Sequence, residues 1–186
     1  TIADLIQYRS EHESVVKRVG ERSMQTAWGE FRTVAYQDTA NGSAHLALVH
    51  GDIDLQRETL VRVHEPASIL DALDTGDTAH SWGVGRALQA ITKTPAGVVV
   101  LMNCQSSTEH LFQQIAGWAG NAQETSTDGG DRFGLRTYGI GAQILRDLNV
   151  GQMRLLARPR KMPSMAGFSL TVTGYDCDPS TSATPQ

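Results

Sequence analysis

Cysteine is nearly missing from this 186-residue chain: Cys104 and Cys177 are the only two, far apart and without metal-ligand spacing. Basic runs are missing too. With 16 Lys and Arg against 20 Asp and Glu, the net charge is −4, which leaves no electrostatic footprint for nucleic acid. No apolar stretch approaches the roughly 18 residues that a membrane-spanning helix needs, and no signal-type leader is recognisable. A cytoplasmic protein without a membrane partner is the expectation. No internal repeat is found. What is present is 40% hydrophobic content, enough to bury one sizeable core and so to build one globular domain plus trimmings.

Those trimmings are predicted at both ends. "TIADLIQYRSEHESVVKRV" sets Ile2, Leu5, Ile6, Val15, Val16 and Val19 among Arg, His and Glu, which reads as a linker helix entering from an upstream domain, assigned to residues 1–25. The first residue is not Met. "DCDPSTSATPQ" is rich in Ser, Thr and Pro without apolar anchors, so residues 176–186 read as a disordered tail. Residues 26–175 are left as the domain.

Within it, Glu30 to Tyr36, His45 to His50 and Thr59 to His64 alternate as strands do, with "TANGS" and "GDID" as turns between them, which predicts a meander. A helical pattern follows at Gly83 to Thr92, then a buried strand "GVVVLM" at 97–102 and a helix around Glu109 to Trp118. The Gly-rich, aperiodic segment 120–134 reads as a mobile loop. Ile140, Ile144, Leu145 and Leu148 then make one apolar stripe on a helix from Tyr138 to Leu148, stopped by the left-handed formers Asn149 and Gly151, before the strand-like "QMRLLA". The predicted class is α/β: a mixed sheet flanked by helices, with the N-terminal linker helix apart.

The motifs "TAWGEFRTVAY", "HLALVHGDI", "LVRVHE", "ALQAITKTPAGVVVL" and "RTYGIGAQILRDLNVGQMRLL", in that order between Thr26 and Thr173, resemble GTP cyclohydrolase II, a zinc enzyme that opens GTP at the start of riboflavin synthesis. The opening segment resembles the junction after a 3,4-dihydroxy-2-butanone 4-phosphate synthase domain in bifunctional riboflavin proteins. The resemblance implies an upstream synthase domain in the same chain and a homodimer, since the parent family forms dimers.

Function is decided at the site, where the chain departs from the family. The three cysteine positions implied for zinc fall on Ala67, Thr78 and His80, so no zinc cofactor and no metal ligand is expected. The alternative is that His80, His64 and Glu65 rebuild a His/carboxylate site; the plainer reading makes His80 a surface imidazole. The family's phosphate loop aligns with "NCQSSTEHLF", 103–112, which lacks its arginines and central glycines and adds Glu109. Its D-x-R-x-Y motif reads Gly134, Arg136, Tyr138. Arg136 therefore stands at the catalytic position without its carboxylate, idle as a nucleophile, and the plainer reading gives it a salt bridge or a helix-start contact. The implied nucleotide contacts are Arg62, His64, Glu65 (in the family's Ser position) and Lys161, with Arg158, Arg160 and Lys161 forming a small basic cluster that is either a solvated turn or a captor of anions. The implied function is a riboflavin-biosynthesis domain, inactive on GTP and structural or regulatory for the synthase. The alternatives are an active GTP cyclohydrolase II with a rearranged site and a nucleotide-binding regulatory module that holds GTP or another anion weakly.

Overall fold

A computed structural model describes residues 13–66, 81–104, 135–159 and 165–178. They form a seven-stranded mixed sheet with a helix on each face. The strands are β1 (Val16–Thr26), β2 (Gly29–Asp38), β3 (Ala44–Gly51), β4 (Glu58–His64), β5 (Ala96–Leu101), β6 (Gln152–Leu156) and β7 (Thr171–Asp176), and the helices are α1 (Val84–Ile91) and α2 (Leu135–Asp147).

Strand order across the sheet is β1-β2-β3-β5-β4-β6-β7. The first four in that order pair antiparallel, whereas β5, β4, β6 and β7 run parallel. The predicted meander is therefore interrupted. β5 inserts between β3 and β4, because its AGVVVL run has no polar side chain and belongs where both faces are covered.

Alternate residues of the central strands feed two cores. Val61, Val98 and Val100 meet Ile140, Ile144 and Leu148 of α2 on one face. Leu60, Val99 and Leu156 meet Ala87, Leu88 and Ile91 of α1 on the other. A Cβ at Gly97 would lie 2.4 Å from the Ile91 Cβ, so the absence of a side chain there sets how closely α1 approaches the sheet.

α2 ends as its sequence predicts. Asn149 is left-handed at φ 63, Asn149 N donates to Arg146 O at 2.9 Å and Val150 N to Leu145 O at 3.0 Å, which is the Schellman arrangement. Gly151 plays a different part. It does not take the left-handed turn; a Cβ there would stand 2.3 Å from the Leu55 carbonyl oxygen.

Two end assignments are corrected. Residues 16–26 form strand β1, not the end of a linker helix, and a register shift between Arg18 and Gly20 leaves Val19 as an extra residue in the ladder, 64% exposed. Asp176 closes β7, and Asp178 is buried with its carboxylate 2.9 Å from Arg86, so these residues belong to the fold and not to a tail. The segments 1–12, 109–118, 120–134 and 179–186 lie outside the described residues. Among those that are described, no helix is long and apolar enough to cross a membrane.

Candidate functional site

From the carboxyl end of β4 the chain continues toward α1 on one face, and from the carboxyl end of the neighbouring β5 toward α2 on the other. Adjacent parallel strands whose connections part to opposite faces leave a crevice at their carboxyl edge, the place where open α/β sheets hold ligands. The sequence puts polar residues there. His64 ends β4 and Glu65 follows it, Asn103 and Cys104 come just after β5, Asp38 ends β2, His45 is the second residue of β3 and Arg136 lies in the first turn of α2.

Hydrogen bonds tie Glu65, Asn103, Cys104 and His45 together, and the Asp38–Arg136 pair acts on His45 through its charges. Met102 N donates to His64 O at 2.7 Å and Cys104 N to Ala44 O at 2.9 Å, closing the ends of β4, β5 and β3 on one another. Between them Asn103 is left-handed at φ 48, a conformation that Asn tolerates better than most residues. Its backbone N–H donates to His45 Nδ1 at 3.0 Å, and its side-chain amide donates to the Glu65 carboxylate. Since Nδ1 accepts, the neutral His45 ring carries its proton on Nε2. Burial pushes the His45 imidazole below its usual range, Asp38 works against that, and Arg136 adds to it.

Arg136 is not free. One guanidinium nitrogen lies 2.5 Å from each carboxylate oxygen of Asp38, which is 1% exposed while the arginine side chain is 50% exposed. Burial by itself would raise the Asp38 carboxyl; the bonds from Arg136 and from the Ala40 N–H outweigh it and hold the group below its usual value. The plainer reading of Arg136, a salt bridge at a helix start, describes its geometry.

Arg62 and His64 point the other way, into the α1 side. Arg62 donates to Leu156 O at 3.0 Å and to Trp82 O at 3.1 Å and lies 3.4 Å from His64 Nδ1, so it clamps the end of β6 and the entry to α1 onto β4. Both side chains are buried. Of the residues implied for nucleotide contact, Glu65 is half-buried at the crevice, Arg62 and His64 are interior, and Lys161 lies outside the described residues together with Ala67, Thr78, His80, Gly134 and Arg160. Arg158 is exposed just past β6. A separate cavity of about 50 Å³ opens between α2 and the sheet beside Val63, Tyr138, Gly141 and Met165. That is well short of the several hundred Å³ of a nucleotide-sized pocket.

The family profile of GTP cyclohydrolase II matches residues 17–176. The chain belongs to the GTP cyclohydrolase II family. It is 39% identical over 176 residues to a 3,4-dihydroxy-2-butanone 4-phosphate synthase of Neisseria meningitidis serogroup B, covering 95% of this chain and 46% of that protein. It is 33% identical over 184 residues to the riboflavin biosynthesis protein RibBA of Cytophaga hutchinsonii, covering 93% and 44%. Among solved structures it resembles RibBX, a two-domain 3,4-dihydroxy-2-butanone 4-phosphate synthase from A. baumannii, with TM-score 0.64 and 31% identity over 96% of this chain and 45% of that one. The chain thus spans about half the length of the relatives it matches.

Arg136 and Tyr138 stand in α2 at the positions that the sequence reading matched to the family's motif. Asp38, His45 and Asn103, which the structure places at the same edge, were not singled out from the sequence. An inward-facing His at an alternating position of "HLALVHGDI" was the available signal, since an apolar residue is the ordinary occupant there.

Proposed function

We propose that this chain is the GTP-cyclohydrolase-II-like half of a riboflavin-biosynthesis protein, that it does not open GTP, and that it serves an upstream 3,4-dihydroxy-2-butanone 4-phosphate synthase domain of the same chain in a structural or regulatory way. One observation carries this reading: the family's arginine, Arg136, faces the buried carboxylate of Asp38 at 2.5 Å. A guanidinium that donates to both oxygens of a buried carboxylate is anchored at the helix start and not presented as a nucleophile. Gly134 supplies no proton-handling carboxylate.

The donor set at the zinc positions does not fit the metal. Ala67 has no donor atom and Thr78 offers only a neutral hydroxyl, which leaves His80 as a single good ligand where catalytic zinc takes three. Elemental analysis of the purified chain is expected to find no stoichiometric zinc. About one zinc per chain, lost in His80→Ala, would restore the enzyme reading.

GTP affinity is expected to be weak. Arg62 is spent on carbonyl oxygens, and the segment 103–112 lacks the family's arginines, each absent charge-assisted bond removing roughly 1.5–3 kcal/mol. A nucleotide-binding regulatory module is the second reading, favoured by Arg136 and Arg158 standing exposed at the carboxyl edge. Calorimetric titration with GTP and magnesium beside a formate-release assay separates the cases. No release is expected, and binding no better than weak; micromolar binding without release, dependent on Arg158 and Lys161, gives the module, and release abolished by Arg136→Ala overturns the proposal. Removing the domain from the full-length protein should alter the synthase's activity or its proposed dimeric state.

A further inference from the structure

We propose that His45 is a proton-operated latch at the carboxyl edge: neutral, it holds the Asn103 turn; protonated, it releases that turn and competes with Arg136 for Asp38. The latch needs no bound nucleotide.

His45 is 0% exposed, and its Nδ1 accepts the Asn103 N–H at 3.0 Å. Its Nε2 meets no hydrogen-bond acceptor among the described residues. A backbone N–H cannot donate to a nitrogen that already carries a proton. Protonation at Nδ1 therefore sets two donors face to face and breaks this bond. Asn103 is left-handed at φ 48, and the same residue holds the Glu65 carboxylate through its side-chain amide, so losing the backbone bond loosens the ends of β5 and β4 together.

The groups around the ring favour a second resting place for the imidazolium. From β2 come Asp38 and Tyr36, the latter being the residue opposite His45 in the ladder, with its hydroxyl donating to Asp147 at 2.6 Å. From α2 comes Arg136; beyond Asn103 lie Glu65 and the Cys104 thiol, which burial pushes up and keeps protonated. Of these, Asp38 is the carboxylate whose charge supports a protonated His45, and Arg136 is the cation that opposes it. An imidazolium that leaves Asn103 is drawn to Asp38, and each bond it forms there is one that Arg136 no longer holds alone. Acid thus acts on two contacts at once, releasing the Asn103 turn and loosening the hold of Asp38 on Arg136.

The sign is fixed by burial. Because the folded-state value lies below the ordinary one, the unfolded chain takes up the proton first, so the latch's contribution to stability is present above about pH 6.5 and declines as pH falls toward the folded-state value. The test is an NMR titration of the whole chain from about pH 7.5 to about pH 4.5, following the His45 ring nitrogens and the Asn103 amide. At neutral pH the ring should show the Nε2–H tautomer. On acidification its titration should move the Asn103 amide in step, with the protection of that amide, taken against its intrinsic exchange rate at each pH, falling about tenfold or more. His45→Gln, whose side-chain oxygen can accept the same bond without titrating, should leave the Asn103 amide insensitive to pH. An Nδ1–H tautomer at neutral pH, or a titrating ring with an unmoved Asn103 amide, overturns the proposal, and either result is read on the unaltered protein should the variant not fold.

Discussion

Asp38 has far more to lose than Arg136 does, because the carboxylate is buried and the guanidinium is half in water. Arg136→Ala should therefore destabilise the domain by about 1–3 kcal/mol at neutral pH, the cost of a buried acceptor left short of its donor. Urea unfolding at pH 7 measures it. A carboxylate held low contributes stability that is full above its unfolded value near 4 and is lost as pH falls through the folded one, so the variant should also show a shallower decline below about pH 4 than the parent. A loss that is the same at every pH would mean that the arginine acts through packing alone. At this scale the sequence was readable where a motif named the residue, as with Arg136, and opaque where burial decided. Nothing local to "VRVHE" distinguishes an Arg62 that reaches solvent from one that clamps two carbonyls, and only the pairing of β6 beside β4 gives it carbonyls to clamp.

Elements with a clear period were legible nearly to the residue. β2, β3, β4, α1, β5, α2 and β6 fall where alternation or a helical stripe places them, because each has one or two faces committed to a core. β1 failed for the converse reason: its burial pattern is exposed over most of its length, so no alternation survives, and Val15, Val16 and Val19 fall at spacings that imitate a helical stripe. β7 is half-buried and gave no firm signal either. The α1–β5 contact offers a sharp check. Gly97→Ala should cost about 1–3 kcal/mol or more through overpacking, and pairing it with Ile91→Ala should recover part of that, a non-additivity that a double-mutant cycle reads directly. If the two losses simply add, the close approach is not what limits position 97.

For the whole molecule, the segment after β7 is a staple and not an appendage. Trp82 donates its indole N–H to Asp176 O at 2.8 Å, and Arg86 meets Asp178 at 2.9 Å, so the end of the sheet is drawn onto the α1 face. Truncation after Asp176 should lower the thermal midpoint by several degrees, as about 1–3 kcal/mol does in a domain of this size, while truncation after Asp178 should do much less. Equal effects would locate the contribution further along. At the opposite end of the sheet, β1 pairs with β2 alone among the described residues and is 11 residues long, a length that would ordinarily invite another strand to join it. The extra Val19 spoils the invitation. Among the described residues, a neighbour laid along this border finds the spacing of N–H and C=O groups broken partway, with the charges of Lys17 and Arg22 flanking the break, so this edge is a poor template for a further strand.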